Sequence, residues 1–216
     1  MWVISGITPE FVERMNDVLE VYERPYNRKR PVVCMDEKSK QLLKETRKPK
    51  ATKPGKRAKA DYEYKRNGTC NIFVAVEPKG KKRAVRVTKR RTMGEYAYFI
   101  KHLVDDVYKR AEKLILVEDN LNIHHQSSLT TVFGETEGER IGNNIEWHWT
   151  PKHASWLDQA EIEIHSLEQQ CLNRRIPDLD TMASEVAACV KKRNKDKCGI
   201  KWQFTRKKAK KKFHLA

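Results

Sequence analysis

The stretch that most constrains this 216-residue chain is Leu114–Asn120, which reads Leu-Ile-Leu-Val-Glu-Asp-Asn. A short, unbroken run of branched aliphatic residues suits a strand buried on both faces, as in a mostly parallel sheet. Asp119 follows where such a strand emerges. Open α/β sheets hold their ligands at this rim, outside the carboxyl ends of the strands. Asp119 is therefore a candidate functional acid, and the rest of the chain is read for groups that could join it.

Thr8-Pro9-Glu10 opens a helix, with threonine as N-cap and proline in the first turn, and Phe11, Met15, Val18, Leu19 and Tyr22 recur at helical spacing. Val32–Met35 reads as a strand with Asp36 and Glu37 at its end; alternation puts Asp36 on the face of Val32 and Cys34, and Glu37 on the other. From Lys38 to Arg66 basic residues dominate and Pro49, Pro54 and Gly55 interrupt, so most of this segment reads as an irregular basic loop, either a solvated linker or a contact for a nucleic-acid backbone. Thr69–Val76 and Arg83–Thr88 read as a hairpin of strands, and Met93–Lys109 as a helix with Tyr96, Phe99, Ile100, Leu103, Val104 and Val107 on its apolar stripe. After the Leu114 strand come a short helix at Ser127–Phe133, a loop at Gly134–Asn144, a strand at Ile145–Thr150, a helix at Trp156–Leu172, a helix from Pro177-Asp178 to about Val190, and a basic end. Three antiparallel strands leading into parallel strands is an α/β order, the arrangement of the RNase H-like fold.

A third acid emerges from the Trp156–Leu172 helix. Leu157, Ala160, Ile164, Leu167 and Cys171 form its apolar face, and at about 100° per residue Glu161 falls inside that stripe, with Asp158 outside it and Glu163 on its flank. A carboxylate on a buried face requires compensation, which either a metal ion or a neighbouring Lys or Arg could supply; Glu168 competes for the same role. Asp36, Asp119 and Glu161, on three separate elements, make a carboxylate set suited to hard divalent cations. Two such ions about 4 Å apart activate a water or 3′-hydroxyl and stabilise the leaving oxygen.

Charge points to the partner. The chain has 45 Lys and Arg against 29 Asp and Glu, a net +16 that favours a polyanion. The five cysteines are scattered without a CxxC pair, as expected of reduced thiols in a cytoplasmic protein. No apolar run approaches the ~20 residues needed to cross a bilayer. His124, His125, His148 and His153 have no cysteine at finger spacing, which argues against zinc.

The segments VVCMDEKS, LILVEDNLNIHH and IEWHWTPKHASWLDQAEIEIHSLEQQCLNRRIPD resemble, in order, the three catalytic blocks of DDE transposases, in the bacterial insertion-sequence branch of the mariner-like superfamily. The intervening DYEYKRNGTCNIFVAVEPKGKKRAVRVTKRRT resembles the same group, so the likeness covers nearly the whole chain. It implies an RNase H-like catalytic domain at residues 31–200, preceded by a linker helix at 1–30 and followed by a basic tail at 201–216. It also implies Mg²⁺ or Mn²⁺, two ions, held by Asp36, Asp119 and Glu161, with cleavage and strand transfer of DNA and a TA target. Asn120, Asn122 and His124 match the block after the second acid and are candidates for orienting Asp119 or touching substrate. Lys38, Arg66, Lys152, His153 and Trp156 are candidate DNA contacts.

Two departures stand out. The family's N-terminal helix-turn-helix region has no counterpart here, so the chain reads as a truncated copy, one half of a frameshifted two-frame element or a fragment, and in the second case a separately encoded DNA-recognition part joins DNA and a second copy of the chain as a partner; nucleoid association in the cytoplasm follows from the same reading. Glu118 occupies a position usually apolar, and Asp158 one usually asparagine. Glu118 alternates away from Asp119 and should load the layer behind the site with a charge. Two rival readings remain: a non-catalytic DNA-binding remnant and an RNase H-type nuclease acting on RNA–DNA hybrids.

Overall fold

A computed structural model describes residues 6–47, 53–55, 61–119 and 124–215. Helix α1 spans Pro9–Glu23, and the Thr8 hydroxyl accepts the Phe11 amide at 3.1 Å, the cap its sequence predicts. Five strands follow: β1 (Val32–Glu45), β2 (Tyr64–Glu77), β3 (Lys82–Thr88), β4 (Leu114–Glu118) and β5 (Ile145–Trp149). They form one sheet in the order β3-β2-β1-β4-β5, antiparallel from β3 to β1 and parallel from β1 to β5. This mixed sheet, flanked by helices on both faces, matches the arrangement expected from the sequence.

One face of the sheet carries α2 (Met93–His102), α3 (Gln126–Phe133) and α4 (Glu135–Gly142) over Val33, Met35, Phe73, Ala75, Leu114 and Leu116. The other carries α1 over Cys34, Ile115 and Val117, and α5 (Ala160–Leu167) with α6 (Leu179–Lys195) over Leu42, Ile72 and Val74. The alternation of β1 decides which side each residue serves: Val33 and Met35 enter the first core, Cys34 the second.

Several sequence expectations are corrected. The Lys38–Arg66 segment is strand at both ends: β1 continues to Glu45 and β2 begins at Tyr64, paired in register from Cys34↔Val76 to Glu45↔Tyr64 with an irregularity between Gln41 and Leu43. Its charged residues hide a strand that backbone pairing with β2 supports. The loop expected at Gly134–Asn144 contains α4. Gly134, at φ 81°, breaks α3 from α4, and the absence of a side chain at Gly138 lets the two helices touch, since a Cβ there would lie 2.5 Å from Thr130 Cα. The helix from Met93 stays α-helical only to His102 and turns π-helical over Leu103–Val107. The basic end is not a free tail: α7 (Arg206–Phe213), capped by Thr205, lays Ala209 and Phe213 against α1.

Candidate active site

Parallel pairing brings the first two acids together. Met35 of β1 lies beside Glu118 of β4, so the next residues along the two strands come side by side, Asp36 still within β1 and Asp119 just past the end of β4. Asp36 lies inside β1 rather than at its end, because the strand runs on to Glu45. The Glu37 amide donates to Asp36 Oδ1 at 2.7 Å.

The third block is built differently from the helix its periodicity suggested. Ser155–Leu157 is a 3₁₀ turn, pinned by the Tyr22 hydroxyl donating to the Leu157 carbonyl at 2.9 Å, and α5 starts only at Ala160. The apolar phase counted from Leu157 does not carry across this break. Ala160, Glu163, Ile164 and Leu167 are the buried positions of α5, and Glu161 is exposed. Glu163 is the compensated acid: its carboxylate meets Arg83 Nε at 2.9 Å and Arg193 Nε at 2.7 Å. The competitor Glu168 is paired with Lys40. Glu161 stays exposed, and its charge is felt at Asp36.

Four carboxylates share the resulting field. Asp36 is pushed up to about 7, chiefly by burial; the Glu37 amide pulls the other way, and the charges of Asp119, Glu161 and Glu37 add to the rise. Asp158 was expected to point outward but is 1% exposed. Burial first, then the charge of Asp36, and in smaller part those of Asp119 and Glu161, raise its pKa strongly. Its Oδ1 accepts the Ala160 amide at 2.8 Å, while Oδ2 is buried without a hydrogen-bond partner. Asp158 is the group that sequence reasoning missed, because its burial depends on the turn before α5. Among the described residues no three His, Cys, Asp or Glu side chains stand ready-made as a metal site. The donor set is nonetheless all oxygen, anionic and crowded, the chemistry that Mg²⁺ and Mn²⁺ require.

His124 is buried behind this set. Its Nε2 lies 2.8 Å from Glu37 Oε1, and its Nδ1 lies 2.7 Å from Asp119 Oδ1 and 3.1 Å from the Asp119 carbonyl. Tyr96 stacks on the ring at 4.8 Å between centroids. Burial would lower the His124 pKa, but the bonds to Asp119 and Glu37 and the charges of Glu118 and Glu37 push it up to about 11. Glu118, fully buried on the face away from Asp119 as alternation required, accepts the Tyr96 hydroxyl at 3.0 Å. Burial pushes its carboxyl up to about 8, against the pull of His124 and Tyr96.

The remaining candidates are dispersed. Asn120 and Asn122 lie outside the described residues. Lys38 follows Asp36 on the same face of β1, half-buried, and Arg66 is exposed on β2 opposite Leu43. Lys152 and His153 are exposed after β5, beside a groove with Thr8, Phe11 and Arg14. Trp156, half-buried, packs edge-on against Phe204 with Lys212 over its ring.

A family model described as DDE superfamily endonuclease matches residues 31–183. No curated protein matches. The fold is similar to the crystal structure of the Mos1 strand transfer complex, at 14% identity and a TM-score of 0.52, covering 91% of this chain and 62% of that chain. It is equally similar to the mariner Mos1 paired end complex with Mg, at 14% identity and 0.52, covering 91% of this chain and 64% of that one. At this identity the likeness is one of fold, and this chain spans less than two thirds of the length of either.

Proposed function

The chain belongs to the DDE superfamily endonucleases, and from that premise we propose that it is the catalytic domain of a transposase, cutting DNA strands and joining them to a target. The observation that carries this reading is the parallel register of β1 and β4, which sets Asp36 beside Asp119, with the charge of Glu161 also reaching Asp36. These three are the residues that would hold divalent ions, while the other acids of α5 and the turn that follows it are neutralised by arginine or lysine. Bound there, two ions would supply the Lewis acidity that makes a water or a 3′-hydroxyl nucleophilic and stabilises the departing oxygen.

The chain's own residues prepare the site. The Glu37 amide holds Asp36 Oδ1, and the buried His124 ring lies against Asp119, 2.7 Å from its Oδ1 and 3.1 Å from its carbonyl. Glu161, exposed on the first turn of α5, is reachable from solvent and from a phosphate backbone. The net charge of +16 draws the polyanion to the protein. Transposon-end and target DNA are the proposed substrates, with Lys38, Arg66, Lys152 and His153 as backbone contacts, and paired copies of the chain would hold two ends.

The test is cleavage of duplex DNA carrying the element's terminal repeats, in Mg²⁺ or Mn²⁺, by the native chain and by Asp119→Asn. The native chain should nick and join; Asp119→Asn should bind the same DNA without cutting it. Undiminished cleavage by Asp119→Asn, or cutting confined to RNA–DNA hybrids, would sink the assignment.

A further inference from the structure

We propose that Glu37 is a positioning residue that couples the two strand-borne acids of the site, acting on Asp36 through its backbone and on Asp119 through His124. The inference rests on the reading of Asp36 and Asp119 as metal-holding acids. It adds a residue whose side chain points to the opposite side of the sheet.

The geometry is over-determined. Alternation along β1 sends the Glu37 carboxylate into the core under α2, where the side chain is 1% exposed. A carboxylate in that place is costly unless it is satisfied. Its Oε1 meets one group, the buried His124 ring, through Nε2 at 2.8 Å, while Oε2 is buried without a hydrogen-bond partner among the described residues. The opposite ring nitrogen reaches Asp119 Oδ1 at 2.7 Å, so one rigid imidazole spans the two acids, Glu37 at one edge and Asp119 at the other. Tyr96 covers a face of the ring at 4.8 Å, and the Tyr96 hydroxyl is itself tied to Glu118. The His124 carbonyl accepts the Trp149 indole N–H at 3.1 Å, which fixes the backbone that carries the ring. Meanwhile the Glu37 amide reaches Asp36 Oδ1 at 2.7 Å. A displacement of Glu37 is therefore felt by both acids at once. An apolar residue at position 37 would keep the amide but release the ring, and Asp119 with it.

Partners that orient a metal ligand from behind typically change metal affinity 10–100-fold when removed. The probe is Mn²⁺, titrated into the full chain and followed by the resonance of the free ion, beside duplex-DNA affinity and thermal unfolding. Glu37→Leu should bind Mn²⁺ at least about tenfold more weakly than the native chain, with DNA affinity unchanged. Glu37→Gln, whose amide oxygen can still accept from Nε2, should recover most of that loss and serves as the decisive variant if Glu37→Leu fails to fold. Adding His124→Asn to Glu37→Leu should cost little more than either change alone, since both break one connection. Native Mn²⁺ affinity in Glu37→Leu, or in a Glu37→Gln that replaces it, overturns the coupling while leaving the metal site standing. If Asp119→Asn binds Mn²⁺ as tightly as the native chain, the metal reading falls, and the coupling falls with it.

Discussion

Arg83 of β3 and Glu163 of α5 form an ion pair at 2.9 Å in which neither side chain reaches solvent. Arg193 of α6 joins from the other side, through Nε and Nη2 at 2.7 and 2.9 Å. One carboxylate thus ties the edge of the sheet, the helix that bears Glu161 and the long helix behind it. The Glu163 pKa is held low by the two arginines, against the effect of burial.

Breaking this triad should be costly, because removing the anion strands Arg83 in the interior. Glu163→Gln is expected to lose roughly 3–5 kcal/mol in denaturant unfolding. Glu161→Gln, two residues away but exposed, should change stability by no more than about 0.5 kcal/mol and yet abolish metal-dependent nicking. Equal stability losses in the two variants would contradict the division of labour on α5.

Asp158 puts a buried carboxyl group in the field of Asp36. Asp158→Asn keeps an oxygen to accept the Ala160 amide and removes one carboxylate from beside Asp36. In metal-free buffer at neutral pH this variant should be the more stable protein, by about 1–2 kcal/mol, or roughly 2–8 °C in melting temperature for a chain of this size. Calorimetry in the presence of a chelator reads the difference directly; a lower melting temperature would refute it.

His148 of β5 gives the fold a pH dependence remote from the acids. Its Nδ1 lies 2.7 Å from Asp17 on α1, and its Nε2 lies 3.1 Å from Glu146. Burial alone would lower its pKa, but these two carboxylates outweigh burial and hold it above its ordinary value. A folded-state pKa above the unfolded one means that the contribution is complete below the unfolded value of about 6.5 and disappears as the pH rises through the folded value. The stability advantage of the native chain over His148→Gln should therefore be largest near pH 6 and shrink toward pH 9, as followed by urea unfolding across about that range. A gap that widens with pH would contradict the ion pairs.

The contact between α3 and α4 depends on one missing side chain. At Gly138 a Cβ would meet the Thr130 backbone at 2.5 Å, where no flexible side chain can give way. Gly138→Ala should destabilise the protein by about 1–3 kcal/mol, visible as a lower melting temperature. Gly94→Ala, on α2 with its nearest neighbouring atom at 3.9 Å, should be tolerated and serves as the control.

Much of this architecture is legible in the residue order. The Leu114–Val117 run is a buried strand because four consecutive apolar side chains can be covered only from both faces, and the Thr8-Pro9 cap starts α1 where its hydroxyl reaches the Phe11 amide. The two-residue period of β1 separates Asp36 from Glu37 before any fold is known. Periodicity failed where one element gave way to another. Counting from Leu157 placed Glu161 on a buried face, but a 3₁₀ turn advances the chain at a different angle per residue from an α-helix, so the phase is lost before Ala160. Charge density hid the outer half of β1, which is supported by pairing with β2 and by the buried Leu42.

The sequence by itself determined that Asp119 follows a buried strand, the order of the five strands, and the excess positive charge that suits a polyanion, because these depend on local period and composition. Only the tertiary structure decided which carboxylates are neutralised and which are left crowded. That outcome turns on groups far apart in the chain, Arg83 and Arg193 closing on Glu163, and Glu37 meeting His124 across the core. Charge compensation in an interior is set by proximity in space, and no spacing along the chain encodes it.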